Sequence, residues 1–505
     1  MKEKRPNILF ITSDQQHFNT IGAFNKEIKT PNIDRLVKEG TTFDRAYTVN
    51  PTCTPSRATL ITGKYPSQHG AWTLGTKLPE SEKTLGGYLK EEGYRTALIG
   101  KAHFQPLKST EEYPSLEAYP ILQDLEFWKN FNEDFYGFEK VELTRNHTNE
   151  PHVGQHYALW LKEKGVENWR DYFLGDTGCM DPSIKYKWDI KEEFHYDTWI
   201  AERTNKLLEE YKENDENFFL WASFFDPHPP YLVCEPWASM YDKDEITIPE
   251  VIEGEHLDSP PHIKMTQKEN ADFSEYRETG FAIHGMSRNH LVPKETLKKD
   301  ISVYYGMVSM MDKYIGKILD KLSSLGLSED TIVIFTTDHG NYFGQHGLTR
   351  KGAFMYEDLI KIPFIVRWPN KVSKNKVNSA LQSLVDVVPT VLEATKTKVS
   401  MDITGKSQLD VWTSKKDKVR EHIICENHHE PTTINQRTYV DERYKITIYY
   451  NKEYGEIYDL ENDPLEVHNL WDKEEFKDLK SELLLKYAWA ELEKEPMWMP
   501  RIAGA

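Results

Sequence analysis

The chain has 505 residues, 38% hydrophobic and 29% charged, so it can bury a large core and stay dispersed in water. Lys and Arg total 63 against 81 Asp and Glu, a net charge of −18, which argues against a general binder of nucleic acid or of anionic membrane surfaces. Any anion it binds must therefore be held by a local cluster of cations. Its four cysteines, Cys53, Cys179, Cys234 and Cys425, are too few for a disulfide framework and contain no Cys-x-x-Cys zinc pair.

The apolar segment at residues 8–12 is too short for a signal-peptide core or a membrane span, and Asp14 closes it. This reads as a cytoplasmic chain with no membrane partner; an exported precursor trimmed before residue 1 is the alternative. Residues 7–12 read as a buried parallel strand. Pro31–Glu39 reads as a short helix stopped by Gly40, and residues 85–92 as another ended by Gly93. Strands follow at 94–99 and 217–223. Ile301, Tyr305, Val308, Met311, Ile315, Ile318 and Leu322 recur at helical spacing, predicting an amphipathic helix over 299–324 with Gly326 as its stop. Residues 331–337 and 362–368 read as strands.

Strands alternating with helices predict an α/β fold, a large mostly parallel sheet with helices on both faces. Beyond residue 412 the texture changes. Short strands at 437–440, 444–450 and 456–460, then a helix at about 474–492, predict a small antiparallel C-terminal subdomain. The division is residues 1–412 and 413–505.

The predicted strand ends carry the chemistry. Asp14 follows the first strand, Lys101 and His103 the strand ending at residue 99, Asp226 and His228 the strand ending at 223, and Asp338 and His339 the strand ending at 337. Open α/β sheets bind ligands outside the carboxyl ends of their strands. One such residue is an ordinary solvated loop group; four strand ends delivering charged and metal-binding groups to one edge predict a site. A second pattern is Cys53-Thr54-Pro55-Ser56-Arg57, continuing to Leu60-Ile61-Thr62-Gly63. Pro55 suits a first helical turn and Gly63 a stop. Cys53 then sits at a helix N-terminus, where backbone N–H groups favour an anion, and Arg57 follows one turn later. Taken alone, this reads sooner as a buried structural cysteine beside a helix cap.

The segment from Cys53 to Gly63 resembles the sulfatase signature. Arg5-Pro6-Asn7-Ile8 with Asp14, Thr30 to Leu36, Gly100-Lys101-Ala102-His103, Asp226-Pro227-His228-Pro229-Pro230-Tyr231, Asp338-His339-Gly340 with Lys351, and Tyr458 to Pro464 resemble further blocks of that family. The matches span nearly the whole chain except about 105–210 and 240–295. The resemblance implies an alkaline-phosphatase-like three-layer sandwich and a sulfuric ester hydrolase. It implies that Cys53 is oxidised by a formylglycine-generating or radical maturase enzyme to the aldehyde formylglycine. The hydrate of that aldehyde has two hydroxyls: one attacks sulfur, and deprotonation of the other expels sulfate and restores the aldehyde.

The resemblance further implies one divalent metal ion on Asp14, Gln15, Asp338, His339 and the modified Cys53. Oxygen ligands suit Ca²⁺ first, with Mg²⁺ as an alternative, and the imidazole of His339 brings in Mn²⁺. Gln15 and His339 depart from the commonest family pattern of a second aspartate and an asparagine. Both variants occur in the part of the family that includes choline sulfatases and phosphonate monoester hydrolases, so a phosphonate monoester or phosphodiester hydrolase is the alternative reading. Arg57, Lys101 and Lys351 are expected around the sulfate oxygens, His228 as the acid for the leaving alcohol, and His103 on the formylglycine hydroxyl. The substrate class is a small-molecule or saccharide sulfate ester. Aromatic residues crowd the region from Trp128 to Phe173, either as a lid or as the core of an inserted helical pair or an oligomer contact. The tail at 497–500 offers a contact for a homo-oligomer. Cys179, Cys234 and Cys425 read as inert thiols.

Overall fold

The computed structural model describes residues 5–145, 148–173, 186–278, 281–428 and 433–504. Its centre is an eight-stranded sheet. In chain order the strands are β1 (Asn7–Ser13), β2 (Thr41–Phe43), β3 (Arg95–Gly100), β4 (Lys140–Leu143), β5 (Phe218–Ser223), β6 (Thr331–Thr337), β7 (Phe364–Arg367) and β8 (Lys376–Asn378). They lie in the order β8-β2-β7-β6-β1-β5-β3-β4. β1 is paired in parallel with β6 on one side and β5 on the other, and β3 and β4 continue the parallel run. Only β7 runs against the rest, pairing antiparallel with both β6 and β2. The expected strand at 362–368 is therefore present and reversed.

Alternation along the strands divides the core into two layers. Leu9, Ile11, Leu220, Ala222, Val333 and Phe335 face one side, where α1 (Pro31–Glu39), α4 (Tyr196–Glu213) and α5 (Lys294–Ser324) cover them. Ile8, Phe10, Phe219, Trp221, Ile332 and Ile334 face the other, under α2 (Cys53–Thr62), α3 (Leu85–Glu91) and α6 (Val387–Ala394). This is the three-layer sandwich. The 299–324 helix begins earlier than its periodicity indicates, at Lys294, directly after Pro293. Pro has no N–H to offer the ladder and is pre-set for a helix start.

The aromatic residues between Trp128 and Phe173 are core. Trp128, Tyr157, Trp160 and Trp169 are buried, which favours the inserted-core reading over a lid. The C-terminal sheet is an antiparallel meander of four strands: β9 (Ile423–His428), β10 (Asn435–Val440), β11 (Tyr444–Tyr449) and β12 (Gly455–Asp459). β9 was not expected, because its second half, Glu426-Asn427-His428, is polar. A helix, α7 (Lys477–Glu493), follows. Ile424, Tyr439, Ile446, Ile457 and Leu483 join the same apolar layer as α2 and α6. Cys234 and Cys425 are buried free thiols, and Cys179 lies outside the described residues. Among the described residues no helix is long and apolar enough to cross a membrane.

Candidate active site

Parallel pairing of β6, β1, β5 and β3 brings their carboxyl ends to one edge, with the residues that follow them side by side. α2 points its N-terminus at the same edge. Its C-terminus is closed by Gly63 at φ +68°, whose N–H donates to the Thr59 carbonyl at 3.0 Å. Cys53, the first residue of α2, is 1% exposed. Its Sγ lies 3.2 Å from His339 Nε2, 3.7 Å from Asp14 Oδ1 and 3.0 Å from Lys351 Nζ, with Lys101 Nζ at 3.9 Å. Residues from five separate segments thus meet around one sulfur.

Arg57 is fully buried and ties these segments together. Nε donates to Asp338 Oδ2 at 2.8 Å, and Nη1 donates to the Lys101 carbonyl at 3.1 Å and to Ser223 Oγ at 2.9 Å. Nη2 stands 3.6 Å from Asp14 Oδ2 and has no hydrogen-bond partner. A buried guanidinium against two carboxylates is a compensated charge, and its fork geometry cannot be supplied by lysine. Much of the guanidinium is therefore committed to the scaffold, more than the expected role at the sulfate oxygens implied.

Lys101 and Lys351 are the lysine cations of the site, and both are buried. Lys101 Nζ contacts the Asp14 carboxylate. Lys351 Nζ lies 3.2 Å from His339 Nε2 and 3.3 Å from His228 Nε2. Burial alone would raise the Asp14 carboxyl, but Lys101, His228, Arg57 and Lys351 together hold it well below the ordinary carboxylate range. Burial, and then Asp14, push the Cys53 thiol above its usual value. An unmodified Cys53 is thus mostly protonated at neutral pH and weakly nucleophilic.

The donors at this edge fit one divalent cation. Asp14, Cys53, Asp338 and His339 each offer a ligand atom, and these atoms lie within 4.8 Å of one another. Gln15, at φ +61°, donates its backbone N–H to Asp338 Oδ1 at 3.0 Å and its side-chain Nε2 to Asn341 Oδ1 at 2.7 Å. This fixes the amide and leaves Oε1 buried with no hydrogen-bond partner. Such an orphaned oxygen is costly unless a cation or donor takes it. The His339 ring donates from Nδ1 to the Gly340 carbonyl at 2.9 Å, so the neutral ring bears its lone pair on Nε2, the nitrogen facing Cys53. Burial, and then Lys351, lower its pKa to about 4, so the lone pair is available at neutral pH.

His228 is half-buried, with Nδ1 2.6 Å from the Pro229 carbonyl and Nε2 toward Lys351. Asp226 does not join the cluster. Its carboxylate turns to the Tyr196 hydroxyl and to Asp197, and its carbonyl accepts the Asp14 N–H at 3.2 Å. His195, Asp197 and Asp226 form a second buried group of potential ligands. However, His195 Nδ1 already accepts the Asp197 N–H as the cap of α4 at 3.2 Å, so that lone pair serves the helix.

His103 follows β3 at φ +63°, buried, with its Nδ1 lacking a hydrogen-bond partner. Two residues near it escaped sequence reasoning, Glu117 and Arg145. Both come from the stretch that resembles no motif. Arg145 lies just past the end of β4, a fifth strand end at the same edge. Position after a predicted strand was the one available signal, but the alternation Lys140-Val141-Glu142-Leu143 covers only four residues and went unread as a strand.

The chain matches the sulfatase family over residues 6–397 and the C-terminal region of N-sulphoglucosamine sulphohydrolase over residues 344–493. It is 29% identical to the uncharacterized sulfatase YidJ of Escherichia coli (strain K12), over 95% of this chain and 86% of that one. It is 28% identical to an arylsulfatase of Clostridium perfringens (strain 13 / Type A), over 97% and 95% of the two chains. Its fold superposes on a phosphonate monoester hydrolase from Silicibacter pomeroyi with a TM-score of 0.79 at 19% identity, covering 98% of this chain and 96% of that one. The chain belongs to the sulfatase family of the alkaline phosphatase superfamily and is a sulfuric ester hydrolase.

Proposed function

We propose that the chain hydrolyses sulfate esters with a formylglycine nucleophile derived from Cys53 and one divalent metal ion held by Asp14, Gln15, Asp338 and His339. The observation that carries this reading is the convergence of Asp14, Cys53, Asp338 and His339 within ligand distance, beside the orphaned Gln15 Oε1. When bound, the ion supplies Lewis-acid polarisation of the sulfuryl oxygens and a more acidic nucleophilic hydroxyl. The carboxylate and amide oxygens favour Ca²⁺ or Mg²⁺, and His339 admits Mn²⁺.

Lys101 and Lys351 bind the sulfuryl oxygens from two sides, in a site dry enough for their charges to count. Arg57 holds Asp338 and the Lys101 and Ser223 strand ends in register, with Nη2 left for the anion. His228 is the proton donor to the departing alcohol oxygen, its ring oriented by the Pro229 carbonyl at Nδ1 and its Nε2 turned toward the site beside Lys351. His103, neutral in its buried position, takes a proton from the formylglycine hydroxyl. A maturase is the implied partner, and the substrate is a small-molecule or saccharide sulfate ester. The division at 412 and 413 belongs to the same reading, supported by the C-terminal sheet beginning at Ile423. The phosphonate alternative, raised by Gln15 and His339, gains beyond them only a shared fold at 19% identity and is the weaker reading.

The test is mass spectrometry of the Cys53 peptide from protein made together with a formylglycine-generating enzyme. An aldehyde is expected. Full turnover by protein with an intact thiol, or by a Cys53→Ala variant, would overturn the assignment.

A further inference from the structure

The turn bearing His103 is held by one buried carboxylate. Glu117 Oε1 accepts the Phe104 N–H at 2.8 Å and the Gln105 N–H at 3.1 Å, and Oε2 accepts the His103 N–H at 3.0 Å. The same Oε2 forms an ion pair with Arg145 Nε at 3.2 Å. The two segments are cross-tied as well. Leu116 donates its N–H to Gln105 Oε1 at 2.6 Å, and Ser115 Oγ donates to the Pro106 carbonyl at 2.7 Å. His103 is not glycine, yet it adopts a left-handed backbone that such residues hold only when the surroundings over-determine it. Three N–H groups converging on one carboxylate supply that constraint.

We propose that Glu117 and Arg145 are positioning residues for His103, Glu117 fixing the backbone of residues 103–105 and Arg145, ion-paired to the same carboxylate oxygen that takes the His103 N–H, setting a buried cation at that turn. The inference rests on the reading of His103 as the group that takes the hydroxyl proton. Both residues lie outside every sulfatase block matched in the sequence, Glu117 on the connection between β3 and β4 and Arg145 just past the end of β4. The charged groups facing the His103 ring and its turn are the cations Arg145, Lys101 and Arg57 and the carboxylates Asp14 and Glu117. Burial comes first and Arg145 second in keeping the ring neutral, followed by Lys101 and Arg57, with Asp14 opposing. A base must be unprotonated before it can accept a proton, so a cation beside it extends its working range toward acid.

The experiment uses the matured, metal-loaded full chain with 15N-histidine labelling, the His103 resonance being assigned by its loss in His103→Gln. The variants are Arg145→Met, Arg145→Lys and Glu117→Gln, with Arg145→Gln as a second neutral replacement should methionine not fold. Removing the charge is expected to raise the His103 titration by about one pH unit. The acid limb of kcat/KM for 4-nitrophenyl sulfate should move up with it, while Arg145→Lys stays near wild type. Glu117→Gln should lower kcat more than it raises KM. An unmoved His103 titration in both neutral variants, or an equal shift in Arg145→Lys, overturns the proposal. Full kcat in His103→Gln overturns instead the reading of His103 as the base, and the NMR shift still decides the roles of Glu117 and Arg145.

Discussion

Replacing Gly100 by alanine tests whether the register of two strand ends sets the chemistry. Gly100 ends β3 at φ +110°, a backbone region costly for any residue with a Cβ. A Cβ there would stand 1.9 Å from the Ser223 carbonyl oxygen and 3.1 Å from Ile200 Cδ1. Ser223 is the register partner of Gly100 on β5, and its oxygen accepts the Lys101 N–H at 3.0 Å. The clash therefore falls on the hydrogen bond that aims Lys101 into the site. The backbone strain costs about 1–2 kcal/mol, and forcing the strands apart adds about 1–3 kcal/mol. The neighbour is backbone, so relief requires one strand end to shift by about an ångström, a displacement that can cost about 100-fold in rate. Gly75→Ala is the control: Gly75 has φ +85° with no atom within 4 Å of its Cβ, so it bears the strain without the clash. Urea midpoints and kcat on 4-nitrophenyl sulfate should fall together for Gly100→Ala, while Gly75→Ala loses about 1–2 kcal/mol with kcat intact. If Gly100→Ala were as active as Gly75→Ala, the claim that this register positions Lys101 would fail.

Three other outcomes are expected. Asp338→Asn should weaken divalent-metal binding by at least about 100-fold, read by metal analysis after dialysis, with activity falling in parallel; stoichiometric metal in the variant would remove Asp338 from the ligand set. His228→Ala should cost about 100- to 10,000-fold on alkyl sulfates and far less on aryl sulfates, whose leaving groups need no proton; equal losses on both would dismiss it as the acid. His262 and His290, buried away from the site, are held neutral chiefly by burial, with pKa lowered to about 4. The unfolded chain takes up these protons below about pH 6.5 and the folded chain does not. Stability should therefore fall as pH drops from about 6.5 to about 4 and then level, by up to about 3 kcal/mol per ring. Urea midpoints across that range should show a shallower slope for His262→Gln than for wild type; identical slopes would refute the linkage.

What could be read from the sequence follows from how local each cause is. The strands ending before Asp14, Lys101 and Asp338 are apolar runs stopped by charge, and the run and its stop lie within a few residues, so they were legible. The placing of β1 between β5 and β6 was not, because its partners lie more than 200 residues away and no periodicity encodes their register. The reversal of β7 against β6, its near neighbour in sequence, was hidden for another reason: an apolar run reads the same in either direction. β9 was missed because Glu426 breaks its apolar pattern. That carboxylate is buried all the same, accepting from Lys494 Nζ at 2.6 Å and from the Ser67 N–H at 2.8 Å, and its pKa is lowered to about 2.

Arg57 shows the sharper difficulty. A motif names the residue, and the anion-rich chemistry around it suggested that the guanidinium faces the substrate. In the fold, Nε and Nη1 bind Asp338, the Lys101 carbonyl and Ser223, all from strand ends remote in sequence. Glu117 and Arg145 had no motif to announce them. A carboxylate that gathers three amides from a turn 12 to 14 residues upstream leaves no spacing a reader could recognise. Residues that perform a shared reaction recur in recognisable blocks, whereas those that brace them are free to come from any nearby loop. The segments that resemble no block, about 105–210 and 240–295, are therefore where the features peculiar to this sulfatase, its choice of ester included, are to be sought.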